Sequence, residues 1–282
     1  MPPTVCILGL GLMGRPMDRV LRAAGWDVSG WNRSVLPPEE VNGIRIVSTL
    51  PEAARADICL LMLTDSLAVN TVLGQLEPGL HPGQIVIDMG TSNPADSKVH
   101  AARLAAREIG WVDAPVSGGP EGAAAGTLAI MAGGTTEDFT RVQSTLETLG
   151  GNVVHVGGPG MGHTVKVINQ LIVGLAMQAV AEGLTLAELA GIDPSLVQQA
   201  LKGGLADSKI LQIHGSRMNS RSYIPGGRVA TQLKDLQMAQ ELAAVADTKL
   251  PHLDSTIELY EKLMAQGDGD LDHSAVHKLL WT

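Results

Sequence analysis

The chain is short of cysteine, of aromatic residues and of positive charge, and each shortage removes a class of function. Among 282 residues only Cys6 and Cys59 are cysteine, each inside an apolar run that reads as a buried strand. A disulfide framework is therefore not indicated, and reduced core thiols are expected. Methionine, at 11, outnumbers Trp, Tyr and Phe together, which points to a pliable aliphatic core in which packing is the default role. A formal charge of −9 without any run of lysine and arginine argues against nucleic acid as the main partner, since phosphate binding needs a basic footprint. It says little against a small anionic ligand, which feels local fields.

Other absences narrow the chemistry further. No apolar run reaches the ~20 residues of a membrane span, and Met1-Pro2-Pro3-Thr4 carries neither a basic start nor a small-residue cleavage site. The expectation is a cytoplasmic chain with no membrane partner. The histidines contain no H-E-x-x-H grouping, and His273 and His277, four apart, lack an evident third ligand, so no metal is expected. The chain also lacks G-x-S-x-G, which disfavours acyl transfer and leaves Ser117 better read as a binding hydroxyl.

What is present has a clear order. Strand-like runs recur at 4–10, 27–31, 58–63, 85–89, 111–114, 128–132 and 153–156, with helical patterns between several of them. This predicts an α/β, Rossmann-type, doubly wound and mainly parallel sheet. After Gly162 no strand-like run follows, and 163–190 has no proline and is rich in Ala, Leu, Val and Gln, which predicts one long helix. Further helical blocks at about 194–202, 205–218, 230–246 and 253–266 make the remainder all-helical. The predicted domains are 1–162 and 163–282, joined by the long helix.

Gly9-Leu10-Gly11-Leu12-Met13-Gly14 directly follows the first strand and opens a helix, the context that a G-x-G-x-x-G dinucleotide fingerprint requires. Gly9 permits the tight turn, Gly11 lets a pyrophosphate approach the backbone, Gly14 allows close helix–strand contact, and the helix start offers N–H donors. A purely structural glycine turn is the competing reading. The second strand ends at Asn32-Arg33-Ser34, where an NAD-preferring chain usually presents an acid to the ribose. A guanidinium at Arg33, with short donors at Asn32 and Ser34, suits a 2′-phosphate, so NADP(H) is preferred over NAD(H). The residues alone leave open that Arg33 is a solvated turn residue.

Two further segments carry candidate chemistry. Asp113-Ala114-Pro115-Val116-Ser117-Gly118-Gly119 ends a strand and turns through two glycines, leaving N–H groups and a hydroxyl as a plausible carboxylate cradle. A glycine turn that merely caps the strand fits these residues nearly as well. Lys166 stands in an apolar stretch where burial is costly without a polar neighbour, and Asn169 and Gln170 follow at three and four residues, on similar sides of a helix. A snorkelling surface lysine is the alternative.

These residues resemble the β-hydroxyacid dehydrogenase family. Residues 9–17 are similar to its amino-terminal signature, and 113–134, DAPVSGGPEGAAAGTLAIMAGG, to its substrate-binding signature. Gly160-Met161-Gly162 with Lys166 and Asn169-Gln170 resembles its catalytic segment, and Gln232-Leu233-Lys234-Asp235-Leu236 its later lysine motif. The resemblance implies an oxidoreductase that interconverts a small carboxylated aldehyde and its hydroxyacid. Lys166 would be the general acid and base, a role suited to a lysine of lowered pKa. Ser117, Gly118 and Gly119 would hold the substrate carboxylate, and Asn169 or Gln170 the hydroxyl or carbonyl oxygen. Lys234 would sit near the nicotinamide or help close the site. Leu63-Thr64-Asp65 and 88–91 resemble the loops along the ribose paths, Leu63, Thr64 and above all Thr91 being the implied cofactor contacts.

The Asn169-Gln170 pair, the segment 201–208 and the tail 267–275 are similar to the tartronate semialdehyde reductase branch. Asp207, where that branch often has glycine, and Gly227, often aromatic there, depart from it. Succinic semialdehyde and glyoxylate are the neighbouring candidate substrates. An imine reductase or reductive aminase shares the architecture but usually lacks the lysine, and a non-catalytic NADP-binding module is the third reading. The apolar character of the long helix suggests pairing into a homodimer or homotetramer.

Overall fold

The structure, a computed structural model, describes residues 3–41 and 43–280. The chain divides into two compact units, Met1–Lys166 and Val167–Thr282. Among the described residues, only the first unit contains strands: β1 (Val5–Leu8), β2 (Val28–Trp31), β3 (Ile58–Leu61), β4 (Ile85–Asp88), β5 (Gly110–Asp113), β6 (Val116–Ser117), β7 (Leu128–Gly134) and β8 (Gly150–Gly157). They form one sheet in the order β2-β1-β3-β4-β5-β7-β6, with β8 paired to β7. The pairs from β2 through β5 are parallel, whereas β7 runs antiparallel to β5 and β6 and parallel to β8.

The first five strands read as continuous apolar runs because both of their faces are covered. Successive residues alternate between two cores: Val5, Ile7, Ile58, Leu60, Ile85 and Ile87 enter one, and Cys6, Leu8, Cys59, Leu61 and Val86 the other. The connecting helices are α1 (Gly14–Ala23), α2 (Leu50–Ala53), α3 (Ser66–Leu76), α4 (Pro94–Ala105), α5 (Gly119–Ala125) and α6 (Thr136–Leu149). Helices α1, α5 and α6 contribute to the first core and α2, α3 and α4 to the second. Each buried Leu, Ile or Val contributes on the order of 1.5–3 kcal/mol. Cys6 and Cys59 are free, buried neighbours across β1 and β3, and burial pushes the Cys6 thiol up to about 11.

The second unit is helical: the greater part of α7 (Met161–Leu189), then α8 (Pro194–Leu201), α9 (Lys209–Asn219), α10 (Val229–Val245), α11 (Pro251–Ala265) and a closing 3-10 helix, His273–Leu280. Val167, Met177, Ala181 and Leu184 of α7 pack with Leu236, Leu253, Ile257 and Tyr260 in one core. Helix α9 starts at Lys209 and not at 205, because the Ser208 hydroxyl accepts from the Leu211 N–H and Gly203 turns the chain at φ +78. A second correction concerns α7, which is long and apolar enough to cross a membrane, with hydropathy 1.4 over its most apolar window. Polar residues at 166, 169, 170, 178 and 182 interrupt the run in the sequence, while the average over the window stays high. A core helix passes the same test, and four residues of α7 are core.

Candidate active site

The glycine loop has a distinct reason for each glycine. Gly9 takes φ +108, and a Cβ there would meet the Met62 carbonyl oxygen at 2.3 Å. At Gly14 a Cβ would stand 1.9 Å from the Gly9 oxygen, so α1 closes on β1 only without a side chain. Around Gly11 nothing lies within 4 Å, which leaves backbone open to an incoming group. Helix α1 begins at Met13 with no side-chain cap and no acid in its first turn. Its leading N–H groups are therefore suited to an anionic ligand. By contrast, α3, α4 and α6 are capped by Asp65, Asn93 and Thr135.

The end of β2 divides its three candidate residues between two tasks. Asn32 ties β2 to the glycine loop: its Oδ1 accepts from the Leu10 N–H at 3.1 Å and its Nδ2 donates to the Ser34 carbonyl at 2.9 Å. Arg33 and Ser34 are exposed. Leu63 lies next to Gly9, within 3.1 Å of where its Cβ would be, and the Thr64 hydroxyl donates to Asp65 at 2.9 Å. Thr91 is half-buried in a turn shaped by Asp88, whose carboxylate accepts from the Gly90 N–H at 3.0 Å and the Ser92 hydroxyl at 2.7 Å. Ser117 belongs to β6 opposite Ala129, followed by Gly118 at φ +135 and Gly119 at φ +66, conformations that favour glycine.

Lys166 is buried on the second turn of α7, whose first turn is packed into the sheet edge. The Asp113 carboxylate, at the end of β5, accepts from the Gly160 N–H at 2.7 Å and the His163 N–H at 3.0 Å. Burial pushes this carboxyl up, against the pull of His163 and those two N–H groups. A Cβ at Gly162 would strike the carbonyl oxygens of Asp113 and Met131 at 2.3 and 2.4 Å. Gly162 thus serves contact with β5 and β7, while a Cβ at Gly160 would meet the Pro94 carbonyl oxygen at 2.6 Å.

In the second unit the remaining candidates form one polar chain. Asn169 Nδ2 donates to Gln170 Oε1 at 2.8 Å, and Gln170 Nε2 donates to Asp235 Oδ2 at 2.7 Å and to Gln232 Oε1 at 3.3 Å. Gln232 returns a bond to the Gln170 carbonyl at 2.9 Å, and Lys234 Nζ lies 3.1 Å from Asp235 Oδ1. Gln170 is thereby engaged on both ends of its amide. The side chains of Gln232 and Asp235 are buried; the sequence named them only as members of the lysine motif and gave them no role, because one polar residue in a helical repeat carries no signal of what it meets.

A model of the NAD binding domain of 6-phosphogluconate dehydrogenase matches residues 4–157, and a model of the NAD-binding of NADP-dependent 3-hydroxyisobutyrate dehydrogenase matches residues 160–280. The chain is 40% identical over 281 residues to 2-hydroxy-3-oxopropionate reductase of Escherichia coli, covering 97% of this chain and 95% of that protein. The chain belongs to the β-hydroxyacid dehydrogenase family. A probable mitochondrial 3-hydroxyisobutyrate dehydrogenase-like protein of Arabidopsis thaliana is 34% identical over 95% of this chain and 90% of its own length. The solved structure of 3-hydroxyisobutyrate dehydrogenase from Mycobacterium tuberculosis with L-serine superimposes with a TM-score of 0.86 at 30% identity, covering 100% of both chains. The protein is accordingly an oxidoreductase with nicotinamide-dinucleotide-binding domains, and its glycine loop fits that group.

A metal has a poor claim on the one cluster of ligand-type side chains found among the described residues. His214, Asp272 and His273 bring ligand atoms within 4.8 Å of one another. Asp272 already accepts from His214, Arg217, Gly226, Gly227 and both donors of Ser274, and the Arg217 guanidinium opposes a cation. Burial works against its charge, yet these donors hold the carboxyl well below its ordinary value. His273 and His277 face different partners, Gln232 and Tyr223. Asp207 builds its own turn, accepting from the Gly203 N–H and from Gln212.

Proposed function

We propose that this protein reduces a small carboxylated aldehyde to its hydroxyacid, reversibly and with NADP(H) in preference to NAD(H), tartronate semialdehyde ranking ahead of succinic semialdehyde and glyoxylate. The observation that carries the reading is Lys166, buried early in α7 with Asn169 one turn further on. The 40% identity to 2-hydroxy-3-oxopropionate reductase supports the choice of aldehyde.

Residues 9–14, Arg33, Ser34, Leu63, Thr64 and Thr91 would hold the dinucleotide, with Lys234 beside its nicotinamide. That group, when bound, supplies the hydride. The Ser117 hydroxyl and the backbone of Gly118 and Gly119 bind the substrate carboxylate, which orients the carbonyl. The Lys166 ammonium hydrogen-bonds the carbonyl oxygen and gives it a proton as negative charge develops; in the oxidative direction the amine takes the proton back. General acid–base assistance of this kind is worth roughly 10²–10⁴ in rate. Asn169 accepts from or donates to the same oxygen, and Gln170 holds Asn169. Arg33, at a strand end where the sequence places Asn32 and Ser34 and no acid, favours the 2′-phosphate.

The test is loss of NADPH or NADH absorbance with a panel of short semialdehydes and glyoxylate. Consumption of NADPH with a carboxylated aldehyde, faster than NADH, supports the reading. Reduction of imines only, or binding of NADPH without turnover of any aldehyde, overturns it. The exposed apolar residues Ile168, Ile172, Leu186 and Leu189 of α7 support a homodimer or homotetramer, and light scattering that shows only monomer removes that part.

A further inference from the structure

One buried polar cluster in the first unit lies outside the roles assigned above. Asp88 and Asp113 are register partners at the ends of the parallel strands β4 and β5, and both side chains are fully buried. The His163 ring, also fully buried, is placed with them: Nε2 is 3.7 Å from Asp88 Oδ2 and Nδ1 is 3.9 Å from Asp113 Oδ2. Nδ1 also lies 2.6 Å from the hydroxyl of Ser97 on α4. The Ser97 contact is a hydrogen bond, whereas Nε2 has no hydrogen-bond partner and meets Asp88 by packing and electrostatics across 3.7 Å.

Each member of the cluster holds a different candidate segment. Asp88 shapes the turn that contains Thr91 through Gly90 and Ser92. Asp113 stands four residues before Ser117 and caps the first turn of α7. His163 itself lies three residues before Lys166. An imidazole taken fully out of water is costly to keep without hydrogen-bonding neighbours, so a core packed for bulk alone would carry an apolar residue here.

We propose that His163 is a positioning residue, whose ring ties the Thr91 turn, the segment leading to Ser117 and the turn of α7 before Lys166 into one rigid body. The functional part of this inference rests on the proposed roles of those three residues; the mechanical part does not. Hydrogen exchange therefore gives the first readout, comparing the wild-type chain with His163→Leu, which keeps bulk only, and His163→Asn, whose amide reaches Ser97 as Nδ1 does.

In His163→Leu, exchange in 89–93, 114–119 and 160–167 should rise together by about tenfold, the effect of one lost buried hydrogen bond, while 5–14 stays unchanged. His163→Asn should recover most of the protection. In turnover, kcat should fall about tenfold and KM for NADPH should rise, because the loosened turn carries Thr91, and the asparagine variant should restore both. Loosening of 160–167 alone, a rise that includes 5–14, or no recovery in His163→Asn overturns the proposal. If wild-type protein turns over no carboxylated aldehyde, the reductase reading fails while the exchange pattern still decides this one. Should His163→Leu not fold, Ser97→Ala must loosen the same three segments, and a variant that loosens none of them contradicts the tie.

Discussion

Two helix starts in the same unit, α1 and α7, solve the problem of unpaired N–H groups in opposite ways. Helix α1 begins at Met13 without a side-chain cap or an acid, with open space around Gly11. Helix α7 begins against the fully buried Asp113 carboxylate, which takes the N–H of Gly160, just before the helix, and that of His163 in its first turn. The first leaves its donors for something that arrives; the second satisfies them internally and so fixes the lysine that follows. A binding end and a rigid end are thus distinguishable by what caps them.

The largest break in this comparison is expected from the glycines of the α1 loop. Gly14→Ala places a Cβ 1.9 Å from a backbone oxygen that cannot move aside, so the chain should lose at least 1–3 kcal/mol of stability, the range of overpacking, or fail to fold. Gly11→Ala meets nothing within 4 Å; its melting temperature should match wild type while KM for NADPH rises roughly tenfold, because backbone approach is blocked. Thermal melts alongside cofactor titrations separate the two, and equal melting temperatures for both variants would break the account of the loop.

Asp113→Asn sharpens the other side. One acceptor replaces two and the charge on the α7 start is lost, so unfolding in denaturant should show a cost of about 1–2 kcal/mol. Arg33→Ala should leave the melting temperature alone and narrow the NADPH-over-NADH preference by about tenfold, read as the ratio of kcat/KM values. An unchanged ratio would return Arg33 to the solvated turn.

The smallest expected effect is on pH dependence. Burial lowers the pKa of His100 and His277 from the ordinary value of 6.5. The unfolded chain therefore takes up protons first as pH falls, so the stability present above 6.5 is lost progressively below it. Melting temperature should drop between pH 7.5 and pH 5.5, and less so in His277→Gln.

The first five strands were legible in sequence because a sheet covered on both faces needs uninterrupted apolar runs, and the glycine loop because its spacing is dictated by contacts a Cβ would block. The antiparallel course of β7 and the two-residue β6 were not, since direction leaves no mark on composition and β6 is too short for a period. The start of α9 was misplaced where Leu205 continued the helical pattern past the Ser208 cap. At the site, Lys166 stood out as a charge in an apolar stretch, but nothing in the sequence distinguished Gln170 from Asn169; the difference lies in Asp235 and Gln232, more than 60 residues away. His163 was equally silent, a single polar residue beside an apolar run, and Asp88 was named only within the loop 88–91, with no role of its own.

The central claim is that Lys166 supplies the proton and does not serve to hold the cofactor. The most direct measurement compares wild type with Lys166→Ala in tartronate semialdehyde reduction, with NADPH affinity measured separately by fluorescence. The account predicts a loss of kcat of roughly 10²–10⁴ at an unchanged NADPH dissociation constant. A variant that retains turnover, or one that loses turnover only because it no longer binds NADPH, would contradict it.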